Sequence, residues 1–150
     1  GTLKKTHKVS LQDGMSYIQT HLNKIGVPSA QMRIQSPSGL SRQNQMSAFA
    51  VWKVLDSAHD NFQIQSEFMN SLPIAGVDGT LKKRMRGSAG ERWVRAKTGF
   101  LTNVVSLAGY AGNNKGSLYT FSFIYNGSKD EAKVRQFFDE ILINLLKSAE

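Results

Sequence analysis

A chain of 150 residues, 40% hydrophobic and 20% charged, is long enough for one folded domain that buries roughly two thirds of its unfolded surface. The absence of cysteine excludes a disulfide-stapled scaffold, a thiol nucleophile and a thiolate metal site, and the three histidines (His7, His21, His59) are scattered. A net charge of +8 allows nucleic acid, an anionic polymer or a small carboxylate as partner, and no apolar run reaches the length of a transmembrane helix.

Ser10 with Asp13 three residues on is a capping-box pattern, with the serine oxygen placed to take an orphan amide. Behind it Leu11, Met15, Ile18, Leu22 and Ile25 form one apolar stripe, stopped by Gly26 and Pro28. A helix with one oily face lies against a body. Residues 31–34 read as short and extended, and Ser36-Pro37-Ser38-Gly39 as a turn, because proline forbids helix in the residue before it. From Ser47 to about His59 the apolar residues are too many for a surface helix, so a mostly buried helix is expected. A second short helix spans Ser66–Ser71 and ends at Pro73. Residues 74–86 read as a loop with a short helix around 79–85.

The last third changes period. Glu91–Ala96, Val104–Ala111 and Ser117–Tyr125 read as strands, the last two joined by a hairpin turn at Asn113-Asn114-Lys115-Gly116. Ser128, with Glu131 three residues on, is expected to cap a final helix over 129–147. Its stripe is Val134, Phe137, Phe138, Ile141, Leu142, Leu145 and Leu146. The expected class is α+β: helices first, three antiparallel strands, then one long amphipathic helix, so that helices cover both sheet faces. The strand over 117–125 has no proline and no charge and reads as a central strand. Either a neighbouring strand comes from other sequence or another chain, or this is an aromatic edge covered by the terminal helix.

Charge is unevenly spread. Lys4, Lys5 and Lys8 lie near the start, and seven basic residues (Lys82, Lys83, Arg84, Arg86, Arg92, Arg95, Lys97) face one acid, Glu91, between 82 and 97. That stretch is either a solvated basic face or a field that draws an anionic partner. The sequence shows no helix-turn-helix spacing, zinc ligands or Gly/aromatic sheet pattern to specify nucleic acid, and none is expected.

Two short strings can carry chemistry. Ala96-Lys97-Thr98-Gly99 closes a predicted strand with a cation, a hydroxyl and a closely approachable backbone, which suits a bound carboxylate. Ser38-Gly39-Leu40-Ser41-Arg42-Gln43-Asn44 sets two serines, an arginine and an asparagine around a glycine turn. Each alone is common, and Asn44 alone would be a helix cap. In order, with Leu72-Pro73-Ile74-Ala75-Gly76-Val77-Asp78-Gly79-Thr80-Leu81 between them, they are specific. The whole chain resembles the C-terminal part of the D-alanyl-D-alanine carboxypeptidase/endopeptidase family of the penicillin-binding protein 4 type (peptidase family S13).

The resemblance implies the C-terminal portion, over 1–150, of a penicillin-binding, serine beta-lactamase-like transpeptidase fold. It implies that Ser41 is the serine of the second motif, relaying a proton between nucleophile, lysine and leaving amine. Asn44 would bind the substrate's peptide carbonyl, although a Ser-x-Asn pattern would place that residue at Gln43. Lys97 and Thr98 would hold the terminal carboxylate, Gly99 would let the substrate lie along the strand, and the Phe100 amide would serve the oxyanion hole. Phe100 replaces a small or hydroxyl residue, a departure expected to narrow the pocket, and Ser36-Pro37 replaces Asp-Gly. Implied partners are peptidoglycan stem peptides ending in D-Ala-D-Ala and beta-lactams. The implied location is the periplasm or another extracytoplasmic part of the bacterial envelope, and no metal or organic cofactor is implied.

One element of that chemistry is absent. An acyl-serine enzyme of this class needs a lysine one helical turn after its serine, and no serine here is followed by lysine at the third position. The nucleophile is therefore expected upstream, with the missing strands, and Gly1 is read as an internal or artificial boundary. The expected function is a serine-type D-Ala-D-Ala carboxypeptidase/endopeptidase in the complete protein, the isolated chain being inactive. The alternative is a non-catalytic module that binds a partner or a D-Ala-D-Ala carboxylate.

Overall fold

The computed structural model describes residues 10–148, so Lys4, Lys5 and Lys8 lie outside the described residues. Helix α1 (Leu11–Lys24) opens with the expected capping box: the Asp13 amide donates to Ser10 Oγ at 3.1 Å, and the Ser10 amide donates to Asp13 Oδ2 at 2.8 Å. A two-residue ribbon follows, β1 (Met32–Arg33) antiparallel to β2 (Gln45–Met46). It was only half legible, since β2 falls in a polar stretch without alternation. The ribbon closes the intervening loop, residues 34–44, at its base. Helix α2 (Ala48–Asp60) is capped by Ser47, whose Oγ accepts from the Ala50 amide at 3.0 Å. Helix α3 (Gln65–Asn70) is short, and the helix expected around 79–85 contracts to a single 3-10 turn, Gly79–Leu81.

A three-stranded antiparallel sheet follows in the order β3 (Val94–Leu101), β4 (Val104–Gly112), β5 (Leu118–Asn126). Helix α4 (Glu131–Ser148) closes the fold. Two expectations need correction. Residues 91–93 are a turn, with Arg92 at φ 64°, and the strand runs on to Leu101, so Lys97-Thr98-Gly99 lies within β3 rather than at its end. The serine expected to cap the last helix is displaced by Asp130, whose carboxylate takes the Ala132 amide at 2.8 Å. Glu131 instead accepts from the Asn103 amide at 2.9 Å and pins the helix to the β3–β4 turn.

Strand alternation divides the sheet into two faces. On one, Val94, Ala96, Val105, Leu107, Ala111 and Phe121 pack with Val134, Phe138, Leu142 and Leu146 of α4. Gly109 lies in that face because a Cβ there would fall against the Arg95 carbonyl and Ala96. On the other face Tyr110 packs with Leu55 and Leu72, joined by Val51, Phe68, Met69 and Ala108. A third cluster, Leu22, Val27, Met32 and Ala50, joins α1 and the ribbon to α2. Only the inner part of the α4 stripe is buried. Phe137, 58% exposed, shares a cleft with Ile124 and Tyr125 of β5, and Ile141 is 36% exposed.

Candidate active-site edge

The register of β3 decides which backbone groups are available. Gly112 donates to the Trp93 carbonyl at 2.9 Å, so Trp93, Arg95, Lys97, Gly99 and Leu101 face β4 with their hydrogen-bonding groups. Val94, Ala96, Thr98 and Phe100 therefore direct theirs outward. The first part of that outer edge is occupied: Ala75 donates to the Val94 carbonyl at 2.9 Å and Ala96 donates to the Pro73 carbonyl at 3.0 Å. Beyond Ala96 the edge opens, presenting the Thr98 N–H and C=O and the Phe100 N–H.

Side chains converge on that opening from both faces. Lys97 belongs to the α2 face, and its Nζ turns to the edge and donates to the Thr98 carbonyl at 2.7 Å. Thr98 belongs to the α4 face, and its Oγ1 donates to Thr80 Oγ1 at 2.9 Å. An ammonium with unspent protons, two hydroxyls and an outward amide make a site for an anion with two oxygens. Gly99 is tightly enclosed, since a Cβ there would collide with Ser106 Oγ on the paired strand. Phe100 lies on the α4 face with its ring 5.3 Å from the Arg135 guanidinium carbon, so its bulk falls away from Lys97. The narrowing expected from that residue is not seen on the Lys97 face; the strand's alternation turns the ring away while leaving its amide at the edge.

The 34–44 loop forms a second wall. Arg42 Nη1 donates to the Thr102 carbonyl at 3.3 Å, which joins the loop to the β3–β4 turn. Ser41 Oγ accepts from the Gln43 amide at 3.2 Å, a local turn bond. Asn44 is tied into its own loop: Oδ1 accepts from the Gln35 and Ser36 amides at 2.8 and 3.0 Å, and Nδ2 donates one proton to the Ser36 carbonyl at 2.7 Å. The second Nδ2 proton remains for a further acceptor. Ser41, Arg42 and Asn44 line a cleft of about 560 Å³ with Leu101, Ser106 and Ile124. Lys97 and Thr98 do not line this cleft. The structure thus groups Ser41 with Asn44, and Lys97 with Thr98, Gly99 and the Phe100 amide, Ser106 being the point where the two groups approach.

An α+β fold whose sheet ends in an open, lysine-flanked strand has the architecture of the penicillin-binding serine peptidases. The sequence pattern of the D-Ala-D-Ala carboxypeptidase 3 (S13) family matches residues 2–145, and the chain belongs to that family. The D-alanyl-D-alanine carboxypeptidase of an Actinomadura species is 38% identical over 124 residues, which are 79% of this chain and 23% of the relative. The Carboxypeptidase DacB of Mycolicibacterium smegmatis is 32% identical over 124 residues, covering 79% of this chain and 27% of its own length. The crystal structure of penicillin binding protein 4 from Haemophilus influenzae superposes with a TM-score of 0.81 at 30% identity, over 92% of this chain and 32% of that one. The chain therefore spans about a quarter of the curated relatives it matches.

The structure sets Lys97, Thr98 and Gly99 at one stretch of β3, as their string implies, and places Thr80 beside Thr98, which the sequence reading did not anticipate. Thr80 stood within the quoted 72–81 string without a role, because nothing in spacing alone sets it beside a residue eighteen positions on.

Proposed function

We propose that the complete protein is a serine-type D-Ala-D-Ala carboxypeptidase or endopeptidase that cleaves peptidoglycan stem peptides through an acyl-serine. This chain supplies the carboxylate-binding edge and the nucleophile comes from upstream sequence. The observation that carries the reading is the convergence of the Lys97 ammonium and Thr98 hydroxyl on an unoccupied strand edge. A peptide laid along β3 would pair with the Thr98 and Phe100 backbone, and its terminal carboxylate would meet Lys97 and Thr98. The Phe100 amide is then one donor to the oxyanion. Ser41 is proposed to relay a proton from the cleft wall, and Asn44 to bind the peptide carbonyl through its second Nδ2 proton. Beta-lactams, as mimics of the D-Ala-D-Ala end, would acylate the same serine, in the periplasm or an equivalent extracytoplasmic space.

The alternative, a non-catalytic module that binds the carboxylate without cleaving it, is favoured by the lack of any serine followed at the third position by lysine. Intact mass after penicillin treatment separates the two. The complete protein should gain one adduct and the bare chain none, with activity returning when the chain is mixed with its upstream part. In the complete protein Lys97→Ala should weaken carboxylate binding and Ser41→Ala should slow acylation, each by about 1 to 3 kcal/mol. A complete protein that neither takes up penicillin nor hydrolyses a D-Ala-D-Ala peptide would overturn the enzymatic reading.

A further inference from the structure

We propose that Thr80 is a positioning residue for the carboxylate site, setting the Thr98 hydroxyl and selecting a ligand that ends in a free carboxylate. The proposal rests on the reading of the Lys97–Thr98 edge given above. Its observation is the bond from Thr98 Oγ1 to Thr80 Oγ1 at 2.9 Å, between residues on different elements.

Thr80 is held by a built loop. Residues 73–75 run antiparallel to β3 with Ile74 opposite Arg95, and the segment then folds back. The Asp78 carboxylate accepts from the Ile74 amide at 2.6 Å, and Gly76 donates to the Leu81 carbonyl at 3.1 Å. Leu81 is fully buried in the core beneath, which anchors the turn on one side of Thr80. On the other side Gly79 sits at φ +49° with the Pro73 ring 3.0 Å from where a Cβ would be, so glycine lets the turn pack closely on proline. Thr80 itself is exposed and faces the open part of the edge.

Two consequences follow from elementary hydrogen bonding. A hydroxyl has one proton and can rotate. Two threonine hydroxyls in contact share one proton between them and leave one for a ligand. In the structure Thr98 donates to Thr80; an arriving carboxylate takes the Thr98 proton, and the Thr80 hydroxyl then rotates to donate to Thr98, so that the reversed bond polarises the one to the carboxylate. Without Thr80 the Thr98 rotor is free and loses that alignment. The second consequence is steric. The 73–75 segment already pairs with Val94 and Ala96, so a ligand strand lying on Thr98 and Phe100 stops where the loop begins. Its last group falls beside Thr80, Thr98 and Lys97. A terminal carboxylate satisfies these donors, whereas an amide brings protons of its own to them.

The test uses the full-length protein bearing this chain, an N-acylated tripeptide ending in D-Ala-D-Ala, and the same peptide with a C-terminal amide. Thr80→Val should raise KM for the acid about tenfold with kcat nearly unchanged, since the interaction is present in both bound and transition states. Hydrolysis of the amide should not change. Thr80→Ser, which keeps the hydroxyl, should restore the acid KM to within about twofold of wild type. Thermal midpoints of the variants should match wild type, because Thr80 is exposed. An unchanged KM in Thr80→Val, equal losses on acid and amide, or failure of Thr80→Ser to rescue would each overturn the proposal while leaving the carboxylate site standing. A wild-type protein inert toward both peptides would reject that site, and the role of Thr80 with it.

Discussion

Arg84 and Asp139 form a bidentate pair that ties the loop after the 3-10 turn to the middle of α4. Nε lies 3.1 Å from both carboxylate oxygens, Nη2 lies 2.6 Å from Oδ1, and the side chains are 15% and 16% exposed. One of the seven basic residues between 82 and 97 is thus neutralised inside the fold, which reduces the field inferred from the string of charges. Removing one partner strands the other charge away from water. Arg84→Ala should destabilise the protein by about 2 kcal/mol, and the pair replacement Arg84→Met with Asp139→Leu should recover most of that loss in urea unfolding. A double variant less stable than Arg84→Ala would show that the pair itself, rather than the orphaned carboxylate, sets the cost.

The Tyr110 phenol is held under α2, where it donates to the Leu55 carbonyl at 2.6 Å. Burial, followed by the Asp56 and Asp60 carboxylates, pushes its pKa from 10.0 up to about 12. The folded protein therefore keeps a proton that the unfolded chain loses at lower pH. The stability this provides is complete below pH 10 and is lost as pH rises toward about 12. Tyr110→Phe should lose the hydrogen bond and flatten that alkaline decline. Urea midpoints across pH 9 to 12 provide the check, and parallel curves for the two proteins would contradict it.

Asn44 makes three bonds at the neck of its loop, so Asn44→Ala leaves two backbone N–H groups and one carbonyl without partners in a half-buried place. Loss of about 1 to 3 kcal/mol is expected if the loop stays shut, and less if water enters. The sharper readout is local. Amide exchange at Gln35 and Ser36 should accelerate in Asn44→Ala, whereas Asn44→Asp keeps two acceptors for those amides and should protect them in part. Unchanged exchange in Asn44→Ala would show that the ribbon, not the side chain, holds the loop.

Legibility followed periodicity. The stripes of α1 and α4 and the alternation of β4 and β5 are long enough that burial of one face leaves a single solution, and they stood in the sequence. β3 was cut short because Lys97, Thr98 and Gly99 carry no apolar alternation to advertise a strand. The β1–β2 ribbon is held by backbone pairing of two residues on each side, too few to leave a pattern. The resemblance implies a substrate-binding role for Asn44, but type and spacing say nothing of the loop contacts its amide makes. Three bonds to the residues 35–36 segment are visible only once the loop closes.

Asn113 donates to Ser117 at 3.2 Å, and Gly127 donates to Asn103 at 2.9 Å, which fixes the register at both ends of the β4–β5 ladder. By alternation the amides of Tyr119, Phe121, Phe123 and Tyr125 face β4, and those of Thr120, Ser122 and Ile124 face outward. No further strand pairs with β5 among the described residues. Helices cover its two faces, yet a helix cannot satisfy a row of strand amides. The exposed Phe137 shares a cleft with Ile124 and Tyr125 of β5, so one added strand-and-helix layer would cover both the edge and that ring. The upstream part of the same protein, or a second copy of this chain, is the proposed source of that layer. In a verified monomer of the chain, hydrogen exchange should alternate along β5: slow at Tyr119, Phe121, Phe123 and Tyr125, fast at Thr120, Ser122 and Ile124. Adding the upstream part, or raising concentration until the chain pairs with itself, should slow the fast set and leave the slow set as it was. Protection of Thr120, Ser122 and Ile124 in the monomer would mean that the edge is already satisfied, and the missing strand would have no place to bind.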